Sequence, residues 1–455
     1  MKTSGLANTH RDILNGPMLS GIVLFALPIA LSSILQQLFN SVDVAVVGHF
    51  ASDAAAATAA VGCNGPIINM IINLFVGISV GANVVIANYI GQGDRKKASS
   101  AVHTSMTVAL ISGIFLLFFG LLISRPILEL MNTPEDVLDY AVDYLRIYSL
   151  GLPFVMIYNF GSAILRCIGD TKRPLFCLII SGVLNAFLNL FFVIVFHLDV
   201  EGVAIATVIS NIVSSMLVLL FLIREKSEIH LDIRRLHIDK HDFSRLMKIG
   251  LPAGIQSVVF SISNVFIQSV LNRFGTDAVA GSAVTLNYEN TTYFTISAFS
   301  QATITYTSQN YGAGRYDRCR KAFRISLLMS LLVAGVLSNT FKAGHDIFIS
   351  VFTSDPSVAE YAYVRMQYLF MFYLLISAYE IPGAALRGRG HSLAPALITV
   401  FGTCVFRLFW VYIVPELNPS LGALYMVYPI SWLLTGIIVG ITYIVLSGRE
   451  YRKAK

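Results

Sequence analysis

Predominantly apolar stretches recur along the whole chain, separated by short polar turns. Each approaches the roughly 20 residues that about 30 Å of hydrocarbon requires. They fall at 18–48, 58–90, 99–123, 138–161, 174–196, 202–223, 246–272, 279–309, 322–341, 359–384, 393–413 and 422–446. Hydrocarbon leaves backbone polar groups unsatisfied unless the segment bonds to itself, so the pattern predicts twelve membrane-spanning helices. A polar stretch, Met1 to Gly16, precedes the first run without a small-residue cleavage site behind a short apolar core. No removable signal peptide is expected from that arrangement.

The pattern also repeats. Sliding the chain by 224 residues lays Leu27-Pro28 on Leu251-Pro252, Ser33 on Ser257 and Asn40 on Asn264. Further along, an offset of 221 lays Gly91-Gln92-Gly93 on Gly312-Ala313-Gly314, Tyr158 on Tyr379, and Leu165-Arg166 through Pro174 on Leu386-Arg387 through Pro395. A tandem duplication of six spans follows. Both halves start on the same side, so they are parallel repeats about an axis along the membrane normal. The expected domains are an N-terminal lobe at 1–223, a cytoplasmic connector at 224–245 with room for a short interfacial helix, and a C-terminal lobe at 246–455.

Polar residues inside the apolar runs carry the candidate chemistry. Ser32, Gln36, Asn40 and Asp43 recur at helical spacing and share a face of the first span. An intramembrane aspartate costs on the order of 2.5–3.5 kcal/mol on insertion scales, so such residues are paired or functional. A place near the outer helix end, hydrogen-bonded and structural, is the other reading of Asp43. Asn185 and Asn189 share a face of the fifth span and Thr207 opens the sixth. With Asp43 they offer oxygen ligands for a proton or a bare Na⁺; as an amide set they also suit plain interhelical hydrogen bonding. The seventh span repeats the stripe as Ser257, Ser261, Asn264, Gln268 and Asn272 without a carboxylate. The acids of the second half are Glu289 and Glu380. Glu289 stands among Asn287, Tyr288, Asn290, Tyr293 and Phe294, a polar and aromatic mix suited to an amphiphilic cation or to helix packing. Glu380 lies beside Pro382-Gly383, where a local break or an ion pair with Arg387 or Arg407 is the competing reading.

Composition narrows the class. Hydrophobic residues make up 55% and charged ones 13%, which a water-soluble surface could not carry. Placing both termini and alternate loops in the cytoplasm gathers 26 of the 32 Lys and Arg there, which sets the orientation. The net charge of +6 is then a topological feature that calls for no nucleic acid. Five scattered cysteines form no CxxC pair and have no His at metal-ligand spacing. The Gly-rich turns at Gly91 and Gly312 follow no strand and lack the Gly-Lys-Ser/Thr ending of a phosphate cradle. With no nucleophile elbow, HExxH or paired catalytic carboxylates, no enzyme is expected.

Asp43-x-x-x-Val47-Gly48, Gln309-Asn310-Tyr311-Gly312-Ala313-Gly314 and the twin Leu-Arg-x-x-Gly turns ending in Pro174 and Pro395 together resemble the multidrug and toxic compound extrusion (MATE) family. The resemblance covers essentially all 455 residues. It implies an all-α membrane fold of two pseudo-symmetric six-helix bundles in a V, and export of cationic or amphiphilic compounds in exchange for H⁺ or Na⁺. It also implies a cation site at Asp43, Asn185, Asn189 and Thr207, where Asn189 replaces an acid of the family pattern and leaves one carboxylate. One branch of the family carries a further acid in the seventh span; this chain has none there. Gln36, Asn40, Asn264, Gln268, Glu289, Tyr293 and Glu380 are the candidate substrate contacts. No cofactor is expected, and the protein is read as a monomeric, multi-pass protein of the bacterial inner membrane. A lipid-linked oligosaccharide flippase of the related superfamily, an exporter of an endogenous metabolite, and a passive channel or receptor are the rival readings.

Overall fold

The computed structural model describes residues 12–454, and helices, turns and short links account for all of the described chain. The first half holds α1 (Met18–Phe50), α2 (Ala54–Gln92), α3 (Arg95–Leu130), α4 (Glu135–Cys167), α5 (Lys172–Leu190) and α6 (Asp199–Ile223). The second holds α7 (Lys240–Leu271), α8 (Thr276–Gly312), α9 (Tyr316–Ala343), the short α10 (His345–Ser350), α11 (Pro356–Phe370) and α12 (Leu375–Gly388). It ends with α13 (Leu393–Thr399), α14 (Phe406–Leu417), α15 (Leu421–Tyr425) and α16 (Val427–Ala454). π-helical turns at Phe191–Val195 and Val400–Val405 extend α5 and join α13 to α14.

Among the described residues, ten helical stretches are long and apolar enough to cross a membrane, and the bent pair α11–α12, taken as one span, makes an eleventh. That pair bends by 50° between Phe370 and Leu375, upstream of the break expected at Pro382-Gly383. The helix α8, with 37 residues, is long enough but is not among them. Its buried positions include Ser282, Thr285, Glu289, Thr292, Ser300 and Gln309, which only protein partners can satisfy in a membrane. Counting α8 gives the twelve spans that the apolar pattern predicts.

The chain forms two compact units, one running through 31–250 and the other joining 13–30 to 251–455. The divisions fall inside α1 and α7, next to Pro28 and Pro252, rather than at the ends of a connector. Proline removes a backbone donor and crowds the preceding turn, which makes these the natural places for a helix to change neighbours. The segment after α6 packs on the first unit. Ile229 and Leu231 are buried, Arg95 pairs with Glu228 at 2.9 Å, and Arg173 pairs with Glu225 at 2.8 Å. Its interfacial helix reduces to one 3₁₀ turn, Ile233–Arg235.

Within the first unit α4 packs against α2, α3 and α6. Gly113 lies so close to Pro153 that a Cβ would sit 2.5 Å from its Cα, and Gly161 approaches the Val218 side chain similarly. Such small-residue contacts replace the hydrophobic drive that lipid cannot supply. Phe115, Phe118 and Leu122 of α3 are exposed, as lipid-facing positions would be. In the second unit, Tyr373, Tyr425, Tyr428 and Trp432 build an aromatic core, and Phe25 of the 13–30 segment meets Tyr306 edge-on at 5.9 Å. The duplication persists in the backbone. Gly93 and Gly314 (φ 74° and 70°), like Gly169 and Gly390 (φ 82° and 90°), take the left-handed conformation that ends a helix.

Candidate functional site

Residue Asp43 sits in the second half of α1, within the first unit, and is 7% exposed. The Nδ2 of Asn189, from α5, donates to its Oδ1 at 2.5 Å. Asn185, one turn away, donates from Nδ2 to Thr207 Oγ1 at 3.3 Å, and its own Oδ1 lies 3.4 Å from Asn189 Nδ2. Thr207 in turn donates to Val203 O within α6. The four residues thus form one cluster built by α1, α5 and α6. No Lys, Arg or His pairs with Asp43 among the described residues. Asn189 Oδ1 is buried and accepts no hydrogen bond. One carboxylate, two amide oxygens and one hydroxyl therefore converge in a largely buried cluster, with one acceptor unused. Hard monovalent cations prefer such oxygen ligands, and a proton needs only the carboxylate.

Two groups near Asp43 went unrecognised in the sequence. Tyr144 and Tyr148 of α4, stacked at 6.1 Å, are buried and lie in the field of the Asp43 carboxylate. Their spacing of four shows on α4, but nothing in the sequence aligns that face with α1. Gln36 and Asn40, on the Asp43 face, are exposed.

The remaining candidates lie in the second unit and divide among different surroundings. Glu289, 6% exposed, is held by Arg365 of α11 through Nε–Oε1 at 2.6 Å and Nη2–Oε2 at 3.1 Å. The same guanidinium donates to Ser282 Oγ, and Tyr373 OH donates to the Glu289 carbonyl at 2.8 Å. The Glu289 charge is thereby spent inside the protein. Arg365 was legible in principle, since an arginine in the 359–384 run costs as much as an acid and implies a partner. Glu380 accepts from Ser300 Oγ at 3.3 Å and has no cation within 4.0 Å among the described residues, so an ion pair with Arg387 or Arg407, one of the competing readings, does not form. Tyr293 lies in the combined field of Glu380 and Arg387. Asn264 accepts from Arg407 Nη1 at 3.2 Å, while Gln268 donates to Asn272 at 3.0 Å on the helix exterior. Arg387 and Arg389, expected in a cytoplasmic turn, are both buried.

Comparison with known proteins agrees with this architecture. A family model described as MatE matches residues 28–191 and 252–413, one segment in each half. The probable multidrug resistance protein YoeA of Bacillus subtilis is 28% identical over 385 residues, covering 83% of each chain. The probable multidrug resistance protein NorM of Thermotoga maritima is 27% identical over 395 residues, covering 85% of this chain and 83% of its own. Among solved structures, an outward-facing multidrug resistance MATE family transporter of the MOP superfamily superposes with a TM-score of 0.90. It is 21% identical and covers 98% of this chain and 99% of its own. With both duplicated halves matched by the family model, this multi-pass membrane protein belongs to the MatE family of transporters.

Proposed function

We propose that the protein is a secondary antiporter of the bacterial plasma membrane, both termini in the cytoplasm, that exports cationic or amphiphilic compounds in exchange for H⁺ or Na⁺. The observation that carries this reading is the buried Asp43 carboxylate, which has neutral partners only and an unused amide acceptor beside it. Holding an ion out of water costs several kcal/mol when no counter-charge compensates. A bound cation removes that cost, so the loaded and unloaded forms of the first unit differ in stability by enough to drive a change of packing.

The coupling step asks little of the residues. Asp43 takes up the cation from outside, Asn185, Asn189 and Thr207 orient around it, and the neutralised site lets the helices α1, α5 and α6 repack. Alternating access follows when that repacking changes which side the substrate reaches. One monovalent cation gains roughly 2.3 kcal/mol per 100 mV, and each pH unit adds about 1.4 kcal/mol. Those terms together sustain a substrate gradient of roughly several hundredfold. The multidrug resistance names of the relatives support amphiphilic compounds as cargo. The test is ethidium efflux from cells expressing the chain, with Na⁺ and the proton gradient removed in turn. Efflux should stop when one of the two is withdrawn; efflux indifferent to both would refute cation coupling.

A further inference from the structure

Two buried arginines of the second unit make no ion pair among the described residues. Arg387 at the end of α12 is 9% exposed and Arg407 of α14 is 1% exposed, yet no carboxylate lies within 4.0 Å of either among the described residues. Arg387 donates from Nη2 to Gln256 Oε1 at 2.7 Å, and its Nε is buried without an acceptor. Arg407 donates from Nε to Ser431 Oγ and from Nη1 to Asn264 Oδ1, both at 3.2 Å. Its guanidinium lies over the rings of Phe260 at 5.2 Å and Tyr428 at 4.6 Å. Tyr428 also faces Arg365 at 5.6 Å, so the two arginines share one aromatic wall.

Arg365 and Glu289 form a bidentate pair, and Glu380, whose field reaches Tyr293 and Tyr379, leaves the two guanidiniums Arg387 and Arg407 in excess by one charge. A desolvated guanidinium without a counter-ion is costly, and its planar N–H fork matches a carboxylate or phosphate. Asn264 is exposed, which leaves an approach to Arg407 along α7.

We propose that Arg387 and Arg407, with Gln256, Asn264 and the Tyr428 face, form a binding site for the anionic group, carboxylate or phosphate, of an amphiphilic molecule. This rests on the exporter reading only for what becomes of the bound molecule: it adds to the cargo amphiphiles that carry a negative group beside an aromatic or apolar body. The same chemistry is offered by an anionic lipid headgroup, and the experiment separates the two sources.

The test is equilibrium binding of radiolabelled 1-naphthaleneacetate to the purified full-length protein in phosphatidylcholine nanodiscs. Neutral 1-naphthaleneacetamide and 1-naphthylmethylammonium serve as matched controls. The acid should bind saturably and at least tenfold more tightly than either control. Arg387→Gln and Arg407→Gln should each lose that preference, while Arg407→Lys, which keeps the charge and guards against a folding artefact, retains part of it. In nanodiscs containing phosphatidylglycerol, competition with the acid identifies a lipid headgroup as occupant, and its absence a free anion; either outcome requires the site. Equal binding of acid and amide, or an unchanged acid preference in both Gln variants, would overturn it. Ethidium efflux by the wild-type protein is read separately, so loss of anion preference with efflux intact removes the anion site alone. Binding without any efflux removes the exporter reading alone.

Discussion

In the first unit the cluster at α1, α5 and α6 buries a carboxylate, Asp43, met by an amide and near a hydroxyl; in the second the interior holds two guanidiniums, Arg387 and Arg407, met by amides, a serine and aromatic rings. The turns of the two halves nevertheless remain alike. Asp94 N donates to Tyr89 O as Arg315 N does to Asn310 O, and Asn64 and Thr285, 221 positions apart, reach across to Ala141 O and Ala362 O. Duplication has thus kept the constraints that backbone geometry imposes, together with the arginine at 166 and 387, while Asp43 and Arg407 have apolar counterparts in the other half, Ile267 and Ala186. A left-handed turn tolerates few residues. A buried charge answers only to its local partners, so it can be present in one half alone.

The largest effect should come from breaking the buried Arg365–Glu289 ion pair. Arg365→Met leaves Glu289 buried and unpaired and should destabilise the second unit by about 3–5 kcal/mol, seen as a lowered midpoint of thermal unfolding in detergent. Adding Glu289→Leu to that variant should restore most of the loss, because an apolar pair of similar volume replaces the ions at little cost. Failure of the double variant to recover would mean that the pair acts through more than mutual neutralisation.

A steric test in the first unit comes next. Gly113→Val places a Cβ against the Pro153 backbone, which cannot swing away, and should cost about 1–3 kcal/mol. The same substitution at Gly335, where a Cβ meets nothing within 4 Å, should leave the unfolding midpoint nearly unchanged.

Asn189→Asp sharpens the contrast between the two interiors by doubling the carboxylates beside Asp43. Two acids that close cannot both stay charged without a cation, so the variant should hold one more cation per cluster. Stoichiometry measured from reversal potentials in proteoliposomes would then rise, and an unchanged value would place Asn189 outside the coupling cluster. The smallest effect belongs to Tyr373→Phe, which deletes one hydrogen bond to the Glu289 carbonyl and should cost about 1 kcal/mol in unfolding stability.

The spans, their duplication and the helix-ending glycines were legible because each follows from local periodicity or from a backbone requirement. The polar helix α8 was legible by its place in the repeat and not by apolarity, since protein partners rather than lipid satisfy its buried Ser, Thr and Gln. The grouping of Asp43 with Asn185, Asn189 and Thr207 was open to the residues as one of two readings and was implied by the resemblance; spacing alone placed Asn185 and Asn189 on one face without saying which helix they meet. The environments of Glu289 and Arg407 depend on contacts 76 and 143 positions apart in the chain. No periodicity encodes such contacts, so only the folded chain gives them. The division of α1 and α7 between units at Pro28 and Pro252 was hidden for the same reason, although the paired prolines were visible.

The most direct measurement is uphill transport of ethidium by purified protein in proteoliposomes under an imposed cation gradient, comparing wild type with Asp43→Asn. The substitution keeps the size of the side chain and removes the one carboxylate of the cluster. Gradient-driven accumulation should fall to the passive leak while downhill ethidium movement persists. Accumulation at the wild-type level would contradict the assignment of Asp43 as the residue that couples the cation to transport.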